Sequence, residues 1–188
     1  MKKKILLASI IALSLALLVA VGSTIAWLYA STQDITNTFL PSDIAVDLQE
    51  TKGNEFQMIP GMTINKDPKA AVISPTNVDA YLFVIITKSA NFDTYMSYAL
   101  ADGWTPVETT ATTVVICREI TNAEIGTYYP ILKDDTVIVS PNVTKEQMKA
   151  VGTNPTLTFK AYAVQLYKDN TTKFTPAEAW ASATTPTT

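Results

Sequence analysis

The sequence predicts an all-β fold, an antiparallel sandwich with two short peripheral helices, carried behind an N-terminal signal or transmembrane helix. Thr, Val, Ile, Ala and Tyr dominate the chain after the leader, residue types that suit a pleated, half-buried surface. Ten prolines punctuate it. Short β-prone runs lie between Pro, Gly, Asn or Asp at near-regular spacing, the pattern of a sandwich. At the front, an apolar run over residues 5–22 follows Lys2, Lys3 and Lys4.

That front segment decides the compartment. The lysines stay on the cytoplasmic side while the apolar run enters the membrane. Thr24 and Ala26 then offer small residues to a signal peptidase, with the cut expected between Ala26 and Trp27. A run of about 18 apolar residues is also long enough to span a bilayer as a retained anchor. Either way, residues 27 onward work outside the cytoplasm, and the membrane is touched only through the N-terminal segment. The chain divides into a signal peptide or anchor (1–26), an N-terminal segment (27–40), a sandwich domain (41–183) and a tail (184–188) with nothing to bury and so mobile. Processing leaves roughly 160 residues, enough to bury a real core. It also removes Lys2, Lys3 and Lys4 but no acid, which takes the net charge from −3 to −6. A mildly acidic surface does not fit nucleic acid, which needs Lys and Arg gathered on one face.

In chain order, the expected strands are 35–39, 44–49, 55–59, 70–74, 80–88, 94–99, 113–120, 136–140 and 156–167. The run Tyr81-Leu82-Phe83-Val84-Ile85-Ile86 is apolar on both faces, as a central, twice-covered strand requires. In 156–167, Leu157, Phe159, Ala161 and Ala163 share one face and Tyr162, Val164 and Leu166 the other. Asp102-Gly103 marks a tight turn, with Trp104 opening the next segment. Thr144 to Gln147 reads as a capping box with Gly152 as the stop. Thr175-Pro176-Ala177-Glu178 opens the last helix: Thr175 caps, Pro176 takes the first position and Glu178 closes the box. Trp180 is expected to dock this helix on the sandwich.

Reactive chemistry is sparse. The chain holds no histidine, which removes Ser-His-Asp triads, Cys-His nucleophiles and the paired-histidine zinc site. Cys117 is the only cysteine, so no intrachain disulfide forms, and its run Val114-Val115-Ile116-Cys117 reads as a buried strand. Glu119 with Glu124, and Asp134 with Asp135, are the conspicuous acid pairs. A glycosidase needs two carboxylates across a bond at a defined separation. Asp67, Asp102, Asp134 and Asp135 fall in turn-like stretches, where they either form turns or offer oxygen ligands to calcium. Trp104, Tyr128 and Tyr129 either pack or line a binding face. No catalytic residue, resident metal or cofactor is assigned.

Several ordered motifs carry a family resemblance. Ser23-Thr24-Ile25-Ala26-Trp27-Leu28 followed by Asn37-Thr38-Phe39 resembles the front of exported proteins cut by the SipW-type signal peptidase, the TasA/camelysin family. The run from Pro60-Gly61-Met62 through Lys66-Asp67-Pro68 is similar to a loop of that family, as are Asp79-Ala80-Tyr81-Leu82-Phe83-Val84, Ala161-Tyr162-Ala163-Val164-Gln165 and Pro176-Ala177-Glu178-Ala179-Trp180. Ser42 departs from the glycine expected after Asn-Thr-Phe. The resemblance implies a jelly-roll-like sandwich, secretion by a Gram-positive bacterium, and often assembly into extracellular biofilm-matrix fibres. Camelysins are described as proteases, but no His-Glu-x-x-His motif is present here to carry that activity.

The resulting expectation is a non-catalytic, secreted structural subunit of a fibre or biofilm matrix. Its partners are copies of itself, related matrix proteins and the signal peptidase. Trp27, Leu28, Tyr29, Ile35 and Phe39 make the freed segment a candidate donor strand for a neighbour's open sheet edge. Alternatively, 35–39 is the first strand of its own sandwich. The other readings are a monomeric cell-surface binding module and a secreted hydrolase. N-terminal sequencing of the exported protein is expected to begin at Trp27; a chain that retains Lys2 to Lys4 shows an anchor instead.

Overall fold

The structure, a computed structural model, describes residues 44–73 and 78–184. In chain order its first elements are β1 (Val46–Gln49), β2 (Thr63–Asn65), β3 (Lys69–Val72), β4 (Ala80–Lys88), α1 (Phe92–Tyr95), β5 (Met96–Ser97), β6 (Thr105–Thr109) and β7 (Thr113–Ile120). They are followed by β8 (Tyr129–Pro130), β9 (Thr136–Val139), α2 (Lys145–Lys149), β10 (Leu157–Gln165) and α3 (Pro176–Thr184). The strands form three antiparallel sheets, ordered β1-β3-β8, β10-β4-β7-β6 and β2-β9-β5. The fold is thus mostly antiparallel β-structure with a few short helices. Among the described residues no helix is long and apolar enough to cross a membrane; the run at 5–22 and the strand expected at 35–39 lie outside them.

β4 is apolar on both faces because both are covered. Leu82, Val84 and Ile86 enter one cluster with Ala70, Val72, Phe92, Ile116, Ile120 and Leu132. Tyr81 and Phe83 enter a second with Val115, Cys117, Leu166 and Ala179. β10 obeys the alternation expected of it: Leu157, Phe159, Ala161 and Ala163 pack on the first cluster, Tyr162 and Val164 on the second.

α3 closes the second face. Glu178 accepts hydrogen bonds from the Thr175 amide and hydroxyl, and its own N–H donates back to the Thr175 hydroxyl. Ala179 is fully buried beneath it. The Trp180 ring lies 5.3 Å from Phe83 and 5.7 Å from Tyr162, so the tryptophan docks the helix as its sequence suggested.

Several expectations need correction. Residues 55–59 form no strand. Their apolar side chains line a groove, and Pro60-Gly61 turns the chain directly into β2, so the extended run never meets a partner. Of 94–99, only Met96 and Ser97 pair with β9, because burial of Phe92 coils the preceding turn into α1. β2, β6 and β8 were not expected. β6 contains Pro106, which argues against a strand, but β6 is a sheet edge and its register shifts beside the proline. α2 forms its capping box but stops at Lys149, capped by Ala150 before Gly152 is reached. α3 extends to Thr184, one residue into the expected tail.

The Asp102-Gly103 turn ahead of β6 is present, and Gly103 adopts φ +87°. A Cβ there would collide with the Arg118 guanidinium. The same guanidinium donates to the Asp102 carbonyl at 3.1 Å and lies 3.9 Å from the Tyr129 ring centroid. Gly103→Ala is therefore expected to destabilise the domain by at least ~1–2 kcal/mol, the cost of a left-handed backbone, as read from the denaturant midpoint.

Candidate functional site

β10 forms one edge of the four-stranded sheet, and its hydrogen-bonding phase can be read from the ends of its ladder. The Leu166 N–H donates to the Asp79 carbonyl at 2.9 Å, and the Ser89 N–H donates to the Thr156 carbonyl at 3.0 Å. Antiparallel strands alternate between residues that bond to the neighbour and residues that face away. Thr158, Lys160, Tyr162 and Val164 therefore bond to β4. Leu157, Phe159, Ala161, Ala163 and Gln165 turn their N–H and C=O groups outward. No strand among the described residues pairs with that side, although β1 passes nearby.

The opposite edge, β6, is blunted. Pro106 has no N–H, and the register shift between Pro106 and Glu108 breaks the repeat. β10 has neither a proline nor a bulge across its nine residues. One edge of this sheet thus resists an added strand, while the outward groups of the other are paired by no strand among the described residues.

At the Leu157 end of β10 lies a groove of about 1140 Å³, with Phe56, Met58, Ile59, Phe92, Met96 and Met148 among its lining. Lys66 sits at its root, largely buried, with Nζ 2.5 Å from Glu50 Oε1. The ammonium is 5.4 Å from the Phe56 ring centroid and 5.6 Å from that of Phe159. Next to it, Asp67 accepts the Thr51 hydroxyl at 2.6 Å and the amides of Thr51 and Lys52 at 3.0 Å each. Those bonds, the Thr51 hydroxyl first, hold the Asp67 carboxyl below its usual range. Together, Lys66 and Asp67 clamp the start of the 50–59 segment against the sheet.

The other candidate residues are occupied elsewhere. Ala26, Trp27, Leu28, Tyr29, Ile35 and Phe39 lie outside the described residues. Of the aspartates considered for calcium, Asp67 is spent on the clamp, while Asp134 and Asp135 occupy consecutive left-handed positions, φ 55° and 53°. Among the described residues no three acidic, cysteine or histidine side chains converge as metal ligands. Trp104, 8 % exposed, is core, and its indole N–H donates to the Pro130 carbonyl. The Tyr128 hydroxyl donates to Asp47; the Tyr129 hydroxyl donates to Glu124, and its ring face is covered by the Arg118 guanidinium.

Glu119 and Glu124 are each engaged by neighbouring side chains. Glu119 accepts from Lys173 at 2.6 Å and from Tyr81 at 3.3 Å. The Thr121 hydroxyl, with its amide and Tyr129, pulls Glu124 down to about 2. A general acid needs the opposite shift. Burial, with Glu119 adding to it, pushes the Cys117 thiol up to about 11, which keeps it protonated and inert.

Comparison with family models, curated proteins and solved structures returns no match. The groove was not legible in advance, because Phe56, Met58 and Ile59 read as strand residues. The usable clue to the edge was the absence of proline and glycine across 157–165.

The carboxylates set an acid limit. Glu124, Asp169 and Glu178 are each lowered to about 2 from ordinary values of 4.5, 3.8 and 4.5. The Thr121 hydroxyl leads for Glu124, the Thr171 amide for Asp169 and the Lys168 ammonium for Glu178. A depressed carboxylate contributes stability above its unfolded value and loses it as pH falls toward its folded one. The thermal midpoint is therefore expected to be level near neutrality and to fall from about pH 4.5 toward about pH 2, with Glu124→Gln removing part of the fall.

Proposed function

We propose that this protein is a non-catalytic, secreted structural subunit of an extracellular fibre or biofilm matrix, a jelly-roll-like member of the TasA/camelysin type. On this reading, cleavage at Ala26–Trp27 frees residues 27–40, and that segment of one copy adds to the β10 edge of the next. The observation that carries the proposal is the asymmetry of the four-stranded sheet, one blunted edge and one nine-residue edge open among the described residues.

The donor pattern fits such an edge. Nine residues such as 27–35 match its length, and there Trp27, Tyr29 and Ile35 occupy odd positions, so an extended strand turns them to one face and Leu28 to the other. Burying three such side chains contributes about 4.5–9 kcal/mol gross, at ~1.5–3 each. Association costs roughly 4–15 kcal/mol, so side chains alone do not hold the contact and the backbone ladder must add to it. A donor and an acceptor on different surfaces give a head-to-tail contact, which grows a filament when its rotation does not close.

The expected outcome in electron microscopy is filaments from the processed protein and none after deletion of residues 27–34. Unchanged filaments in the deletion reject strand addition. Ala161→Pro is a sharper probe, because it removes an outward N–H while sparing the ladder to β4. It is expected to abolish filaments while the circular dichroism spectrum stays unchanged.

A further inference from the structure

We propose that a strand added to β10 is paired on both of its sides, by β10 on one and by residues 53–58 of the same acceptor copy on the other; this rests on the strand-addition reading. Residues 53–58 then become a strand only once an extended segment of a second copy lies beside them.

This segment has a strand's alternation without a strand's bonds. An extended chain turns Phe56 and Met58 to one side and Glu55 and Gln57 to the other. Yet no backbone N–H or C=O from Gly53 to Met58 makes a hydrogen bond among the described residues. Both ends are nevertheless fixed. The Thr51 and Lys52 amides donate to Asp67 at 3.0 Å each. Past the other end, the Met62 N–H donates to the Ile59 carbonyl at 3.0 Å and the Gly61 N–H to the Val139 carbonyl at 3.1 Å. A segment held at both ends and unbonded between them has less freedom to lose when it pairs.

The first residues of β10 share a groove with it. Residues 54–59 and 154–158 line that groove, and Leu157 and Phe159 turn their backbone groups away from β4. The Lys66 ammonium lies 5.4 Å from the Phe56 ring centroid and 5.6 Å from that of Phe159, so the two rings stand at most about 11 Å apart. The two neighbours of a strand are about 9.5 Å apart, twice the ~4.8 Å spacing of paired strands. At this point the groove is no wider than a single strand can bridge.

Backbone is therefore the occupant that suits it. A strand laid on a plain edge leaves one row of its N–H and C=O groups in water, and that row is a fresh edge for the next strand. A strand laid here finds partners for both rows over the length of 53–58, which closes that outlet.

Hydrogen exchange tests it. Filaments and unassembled protein are exposed to deuterated water, and the peptides 53–59 and 157–165 are weighed. In filaments the outward amides of 157–165, and about half of those in 53–59, are expected to exchange at least tenfold more slowly, because alternate amides of a strand face the same neighbour. Slowing of 157–165 with 53–59 unchanged overturns the second side and leaves strand addition standing. Filaments in which 157–165 keeps its rate overturn strand addition at β10 and this inference with it. Processed protein that forms no filaments overturns both.

Discussion

Burial of β4 on both faces is the constraint on which the rest depends. A strand with Leu82, Val84 and Ile86 on one side and Tyr81 and Phe83 on the other cannot lie at a surface. It must have a layer above and a layer below, and the two are built differently. The upper one gathers short strands from the two smaller sheets, with Val72 and Val137 reaching down to it. The lower one is a single helix, α3, held in place by a small buried residue, Ala179, and by Trp180 against Phe83. With one cysteine and hence no intrachain bridge, this packing is what keeps the domain together.

Polar chemistry is spent on the same task. Lys66 and Asp67 are the buried charged residues, and both serve the 50–59 segment, through Glu50 and through Thr51 and Lys52. Arg118 lies over Gly103 and Tyr129, and Glu119 bridges Tyr81 and Lys173. These groups are consumed in fixing loops to sheets, which leaves the open backbone of β10 and the apolar groove beside its first residues as the conspicuous unspent features among the described residues.

Legibility in the sequence followed the range of the forces involved. β4, β7, β10 and the capped starts of α2 and α3 were readable, since alternation, a two-sided apolar run and a capping box are local patterns. β2 and β8 are two or three residues long and exist because a partner lies alongside, information that no window of sequence holds. β6 was hidden by Pro106, whose usual meaning is reversed at an edge. For the candidate site, the proline-free run 157–165 was visible, but its position at a sheet edge is a matter of topology. Phe56, Met58 and Ile59 were misread because an apolar wall of a groove and an apolar face of a strand look alike in composition. Trp104 was open to two readings, and its burial resolves it as packing.

The proline in β6 has a consequence for crowding. Where many copies are concentrated at a surface, two four-stranded sheets meeting at β6 cannot knit into a wider one, because the meeting line lacks a donor and is bent. Joining of sheets along that line is thereby barred without any charge being spent on repulsion.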